Sequence, residues 1–276
     1  MEKVIITVAT TGSWPKKEIT PHVPYTPEEI ADDAVRCWEA GASIVHLHMR
    51  DQNGVGIASV ELFEETQERI RSRSDIVLNM TTAGDRKASE EQRYAAAAKL
   101  KPEMASLDCG STNIGDRVFI NSRPFLEKLA KVQLDNGIKP EIEVFDAGMV
   151  YNALSLIKQG LITQPAHYQF CMGVQGGIAA TVDNLVFLKN LLPQDATWGA
   201  FGISKWHLPI MLAAIAMGGH VRVGLEDNIY YSKGVLATNL ALVERAVRLI
   251  REGGREVATP DDTRKILGLR GIKTNT

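Results

Sequence analysis

Short aliphatic and β-branched runs alternate with longer amphipathic stretches along the whole chain. Runs of strand length begin near Val4, Ser43, Ile76, Met104, Lys139, His167, Thr197 and His220. Between them, apolar residues recur at helical spacing over Pro27 to Ala40, Val60 to Arg73, Glu90 to Leu100, Pro124 to Asn136, Val150 to Gln159, Val182 to Leu192 and Pro209 to Met217. A last helix is expected from about Gly234 to Glu252. Thr26-Pro27-Glu28-Glu29 and Thr259-Pro260-Asp261-Asp262 each set a hydroxyl cap, a proline and acidic groups where a helix start exposes free N–H groups. Gly41, Gly137 and Gly160 stand where left-handed helix ends are expected. Eight such units, unbroken by a Pro/Ser-rich linker or a repeat, predict an α/β fold: a (β/α)8 TIM barrel, one domain over residues 1–276. A doubly wound open sheet is the other arrangement of such units, but eight would make it unusually wide.

Composition narrows the function classes. The chain has 276 residues, 45% hydrophobic and 23% charged, with a formal net charge of -2. That balance gives no electrostatic case for a nucleic acid or a membrane surface as partner. Cys37, Cys109 and Cys171 lie far apart with no CxxC spacing, as in a reduced, cytoplasmic protein. The run from Met1 to Ala9 reads as a strand that starts at once, not as a signal peptide. The most apolar helical stretch, around Leu208 to Met217, contains Pro209 and is too short to span a bilayer.

Barrel enzymes carry their chemistry at the carboxyl ends of the strands. His46-Leu47-His48-Met49-Arg50 closes the second run, and Gly224-Leu225-Glu226-Asp227-Asn228 closes the eighth. Strand side chains alternate faces, so His46 and His48 point one way, as do Arg222 and Glu226. His46, His48 and Glu226 are two imidazoles and a carboxylate, the make-up of a zinc site with an open fourth position. Such a site polarises a carbonyl or activates a water. A salt bridge between Glu226 and Arg222 is the plainer account of that carboxylate. Thr81-Thr82 end the third run, Ser106 and Asp108 the fourth, and Glu143 the fifth. Thr81-Thr82-Ala83-Gly84 and Thr10-Thr11-Gly12-Ser13 can bind a carboxylate or a phosphate through backbone N–H groups, or serve as ordinary turns. His167 and His220 open their strands at the opposite end and are expected to be structural; His207, after the seventh, is read as a supporting or surface group.

His46 to Arg50, Lys101-Pro102-Glu103-Met104-Ala105-Ser106-Leu107, Pro140-Glu141-Ile142-Glu143-Val144-Phe145-Asp146-Ala147-Gly148-Met149 and Gly219 to Asn228 together resemble the β-keto acid cleavage enzyme family, in register over nearly the whole chain. The resemblance implies a zinc TIM barrel, usually a homo-oligomer (dimer or tetramer), that converts a β-keto acid and acetyl-CoA into acetoacetate and a new acyl-CoA. It implies Zn2+ on His46, His48 and Glu226, Asp227 as general base oriented by Arg222, and Glu143 lining the pocket. Thr81, where the family often has serine, would bind the substrate carboxylate with Thr82, Gly84 and Ser106 close by. Family members that take an amino-keto acid carry an acidic residue where this chain has Trp14, so a substrate with a neutral side chain is expected here, a quaternary ammonium over the indole being the alternative. Asp108 departs from the family's common asparagine. Lys205, Arg86 and Arg117 follow strands and are candidates for the coenzyme A phosphates. A zinc hydrolase on the same fold is the alternative activity, although barrels of the amidohydrolase type carry further histidines at the ends of strands five and six.

Overall fold

The computed structural model describes residues 3–84, 88–115 and 117–271. Among these residues, eight parallel strands close into a barrel: β1 (Ile6–Ala9), β2 (Ile44–Leu47), β3 (Val77–Met80), β4 (Met104–Asp108), β5 (Lys139–Val144), β6 (His167–Met172), β7 (Thr197–Gly202) and β8 (His220–Val223). Each strand pairs with its neighbours in sequence, and β8 closes on β1 with Ile6 beside Val221. The helices between them are α1 (Pro27–Glu39), α2 (Val60–Arg71), α3 (Glu90–Leu100), α4 (Arg123–Asp135), α5 (Ala147–Lys158), α6 (Val182–Asn190) and α7 (His207–Ala216), followed by α8 (Asn239–Glu252) and α9 (Pro260–Leu267). The barrel expected from the alternating pattern is the fold observed.

Local chemistry explains where the elements begin. Thr26 and Thr259 both form full capping boxes, with Glu29 and Asp262 reaching back to the cap N–H. Besides shifts of one or two residues at α4 and α7, two helix starts differ from expectation. Asp146 caps α5 and starts it at Ala147, ahead of Val150. Thr238 caps α8, so Gly234 lies instead in a hairpin of Tyr230–Ser232 with Val235–Leu236. Two further hairpins, Met49–Arg50 with Gly56–Ile57 and Thr112–Ile114 with Arg117–Phe119, rise from the same end of the barrel.

The main hydrophobic core lies between sheet and helices, where Val8, Val45, Leu47, Leu107, Ile142, Val144 and Phe170 face residues such as Ile30, Leu129 and Leu242. The alternate positions face the lumen, and there the barrel is polar: Thr7, His46, Asn79, Glu141, Glu143, Gln169 and Arg222 are all buried. Below them a separate apolar layer of Ile5, Ile44, Val77 and Met104 is closed by Ala258 and Leu267, so α9 stoppers the amino-terminal mouth. Arg264 ties it down through Glu103 at 2.7 Å, and Lys3 reaches Asp262 at 2.9 Å. His220 sits in this lower region, its Nδ1 accepting the Ile5 N–H, and His167 Nδ1 lies 2.9 Å from the Thr197 hydroxyl. Burial depresses both imidazoles, His167 to about 4 and His220 to about 3, as expected of neutral structural groups.

Candidate active site

Glu226 stands one turn beyond β8, not on it. Gly224, at φ +142°, lets the chain turn with its α-carbon against the Ala9 backbone; a Cβ there would meet Ala9 O at 2.1 Å. The turn is held by Glu226 N–H to Ala9 O and by Asn239, which accepts from Leu225 N–H and donates to Thr10 O. Gly12, at φ +56°, packs directly on Glu226; a Cβ would come within 2.5 Å of its Cγ. These contacts carry the Glu226 carboxylate to His46 on β2 and His48 just past its end, with Oε1 3.4 Å from His48 Nε2 and 3.8 Å from His46 Nε2.

The residues fit a metal ion. One ligand atom from each of His46, His48 and Glu226 can be chosen so that all lie within 4.8 Å of one another. Glu226 Oε2 is buried without a hydrogen-bond partner, which a native interior rarely tolerates unless something else satisfies the atom. Burial would raise the Glu226 carboxyl, but His48, Arg222 and His46 outweigh it and hold it well below the usual range. It therefore stays an anion, as a metal ligand must.

Arg222 is the hub beside it. Its guanidinium donates to both oxygens of Asp227 (2.9 and 3.2 Å), to Glu143 (2.8 Å) and to Glu226 (2.7 Å), and lies 4.7 Å from the Phe201 ring centroid. The salt bridge between Arg222 and Glu226 exists, then, together with the approach to both histidines. Asp227 is pushed up to about 6 by burial, Arg222 pulling down and Glu226 pushing up. Burial also raises Glu143 well above its ordinary value, reinforced by Asp108 across the sheet. Two carboxyl groups that hold protons more tightly than usual thus face a buried cation.

Glu141 escaped sequence reasoning. It lies 3.5 Å from His46 Nδ1 and accepts from Asn79 Nδ2 at 2.6 Å, supporting the imidazole from behind. The Glu141-Ile142-Glu143 spacing was the signal, since it sets two carboxylates on one face of β5. Burial would raise Glu141; His46 and Arg222 hold it at about 2.

The other expected residues divide. Thr82 and Ser106 hold each other: Thr82 N–H donates to Ser106 Oγ, and the Thr82 hydroxyl donates to Ser106 O. Gly84 makes room for Arg93, whose Nε reaches Thr82 O. Thr81 Oγ1 accepts from Ala83 N–H, which leaves its hydroxyl proton free to donate, and Thr81 lines a recess with His48. Trp14 is 51% exposed and donates Nε1–H to Glu226 O at 2.5 Å, so the indole rests on the ligand-bearing turn. His207 is not on the surface: it is 3% exposed, and neither ring nitrogen has a hydrogen-bond partner. Arg117 opens a hairpin strand, Lys205 lies on a 3-10 turn after β7, and Arg86 falls outside the described residues.

The sequence matches the beta-keto acid cleavage enzyme family over residues 3–269. It is 45% identical to a 3-keto-5-aminohexanoate cleavage enzyme of Fusobacterium nucleatum, covering 98% of this chain and 99% of that protein. It is 37% identical to the 3-dehydrocarnitine:acetyl-CoA trimethylamine transferase of Rhizobium meliloti (97% of each chain) and to the 3-oxoadipate:acetyl-CoA acetyltransferase of Cupriavidus necator (98% and 96%). Among solved structures, apo ObcA superposes with a TM-score of 0.82 at 21% identity, over 91% of this chain and 66% of that one, a likeness of fold. With the match running from the first described residue to the end of α9, the chain belongs to the beta-keto acid cleavage enzyme family.

Proposed function

We propose that the protein is a C–C bond-cleaving acyltransferase that turns a β-keto acid and acetyl-CoA into acetoacetate and a new acyl-CoA. One observation carries the reading: His46, His48 and Glu226 converge beside a base, Asp227, held by Arg222, in a chain of this family. Relatives named for acetyl-CoA-dependent transfer from 3-dehydrocarnitine and 3-oxoadipate support it.

His46, His48 and Glu226 would hold Zn2+, which suits a mixed imidazole and carboxylate set. When bound, zinc supplies Lewis-acid polarisation of the keto acid's oxygens. Asp227 takes the C2 proton; a carboxylate raised to about 6 is ionised at neutral pH and more basic than a free one. Arg222 fixes both of its oxygens, so its free lone pairs point in one direction. Thr81 donates its hydroxyl to the substrate carboxylate, and Glu143, its carboxyl raised by burial and held by Arg222, lines the pocket. Over the cycle the acetyl group forms a bond to C2, the C2–C3 bond breaks, and coenzyme A sulfur ends on the former C3 carbonyl. The proton lent to Asp227 returns to C2, completing acetoacetate. Trp14, apolar and without a carboxylate of its own, favours a substrate with a neutral side chain. A cytoplasmic homo-oligomer belongs to the same reading. Free, buried cysteines support the first part, and the exposed Val186, Phe187, Leu208 and Leu212 on α6 and α7 support the second. Among the described residues no helix is long and apolar enough to cross a membrane.

The zinc-loaded protein, incubated with acetyl-CoA and β-keto acids bearing neutral, cationic and quaternary ammonium side chains, should yield acetoacetate and a new acyl-CoA in equal amounts, fastest from a neutral acid. Mass spectrometry reads both products together. Hydrolysis of the keto acid with no thiol present would overturn the reading.

A further inference from the structure

A cleft of about 730 Å³ opens beside the catalytic turn, between the start of α7 and the Tyr230–Leu236 hairpin. Its volume falls in the range of roughly 300–1,000 Å³ usual for small-molecule sites. Asn228 forms part of its wall, one residue from Asp227. Lys205, Lys233 and Arg245 line it, and no acidic side chain does. In a chain with net charge -2, three cations without an acid in one cleft are a marked local excess.

None of the three is paired with a carboxylate among the described residues. Lys205 rests 4.9 Å from the Trp206 ring centroid, Lys233 makes no ion pair there, and Arg245 donates to the Tyr231 carbonyl at 2.6 Å. Two buried groups point to a missing ligand. His207, 3% exposed, has both ring nitrogens unpartnered, and Arg245 Nε is likewise buried with nothing to receive its hydrogen. Interiors seldom leave such donors unmet. Tyr230, 44% exposed, adds an aromatic face at the rim of the kind on which a base stacks.

We propose that this cleft binds the phosphorylated nucleotide end of the coenzyme A thioester, with Lys205, Lys233 and Arg245 on its phosphates. The inference rests on the acyl-transfer reading for the identity of the ligand. A small anion would fill little of the cleft, whereas a 3′-phosphoadenosine diphosphate has both the charge and the bulk. Its pantetheine arm then runs over Asn228 toward Asp227, which delivers the sulfur to the reacting carbons.

Calorimetric titration of the whole protein with coenzyme A, dephospho-coenzyme A and pantetheine tests this. A double variant, Lys205→Ser with Lys233→Ser, should bind coenzyme A at least tenfold more weakly than the wild type. Dephospho-coenzyme A should lose less, and pantetheine, which lacks the phosphates, should bind both proteins alike. Ser232→Trp fills the cleft without touching a charge and should weaken coenzyme A binding as well. Coenzyme A affinity within twofold of wild type in both variants overturns the proposal, as does pantetheine weakened by the same factor as coenzyme A. Failure of the acyl-transfer reading looks different: no acetoacetate forms from any keto acid, while coenzyme A still binds the cleft of the wild type more tightly than that of the variants.

Discussion

Replacing Arg222 by methionine removes one buried cation from among three carboxylates. The guanidinium makes four hydrogen bonds to Asp227, Glu143 and Glu226 and is 2% exposed. At about 1.5–3 kcal/mol for each charged bond, the naive loss is about 6–12 kcal/mol. Protonation caps it, since an unpaired carboxyl can go neutral for about 1.36 kcal/mol per pH unit above its unfolded pKa. At pH 7 that is about 3 kcal/mol for Glu226, whose ordinary value is 4.5. Asp227 already sits at about 6, so its protonation adds only about 1–2 kcal/mol. Relief of the desolvation of Arg222 itself offsets part, leaving about 3–5 kcal/mol, the usual cost of breaking a buried pair. At pH 5 the same arithmetic leaves about 1 kcal/mol. In the variant the folded carboxyls keep protons that the unfolded chain has released, so its stability falls as pH rises and the deficit grows from pH 5 to pH 7. Urea denaturation of both proteins, stripped of metal with a chelator and compared at equal m, measures this. A deficit that is independent of pH, or below about 1 kcal/mol at pH 7, would refute the reasoning.

Glu226→Gln should weaken zinc at least tenfold in a chelator competition while the fold survives; Asp227→Asn should keep zinc and lose about 10²–10⁴ in turnover, the usual share of a general base. Gly12→Ala forces a methyl to within 2.5 Å of Glu226 Cγ, so metal affinity should drop although no ligand has changed, and wild-type affinity would mean the turn yields freely. His220 is held down at about 3 from an ordinary 6.5; the unfolded chain therefore binds a proton that the native state refuses, and stability is lost as pH falls from 6.5 toward 3. His220→Gln should show a flatter acid limb in thermal melts between pH 6.5 and 4, and a limb as steep as wild type would relieve His220 of that role.

The barrel was legible because each strand carries its aliphatic residues outward against helices, so the runs are apolar at every second position at least. His46 and His48 were legible for the same reason: two imidazoles two residues apart must share a face. Glu226 was placed on the strand because Gly224 was read as part of an unbroken run; its left-handed φ starts the turn one residue after β8. The hairpins around residues 50, 115 and 233 gave no signal of their own, being only two or three residues per strand. His207 looked like a surface residue because a helix start after a strand is usually solvated, and only the packing of α7 beside Arg245 buries it. The mutual hold of Thr82 and Ser106 joins residues 24 apart and is set by the register of β3 and β4, which no local pattern encodes.

The stopper at the lower mouth also dictates an order of assembly. Leu267 and Ala258 complete an apolar layer begun by Ile5, and Lys3 meets Asp262 across almost the full length of the chain. Loop closure over such a span is the slowest kind of contact to form. A refolding chain will therefore stack its inner units while the floor of the lumen is still wet, and drain it last. Pulse-labelled hydrogen exchange should find the Val4 and Ala258 amides, which bond Glu256 O and Val4 O, protected after those of β4 to β6. Until that final seam is made, the polar lumen has an outlet at each end, and the ionised groups around Arg222 keep water that the finished barrel denies them.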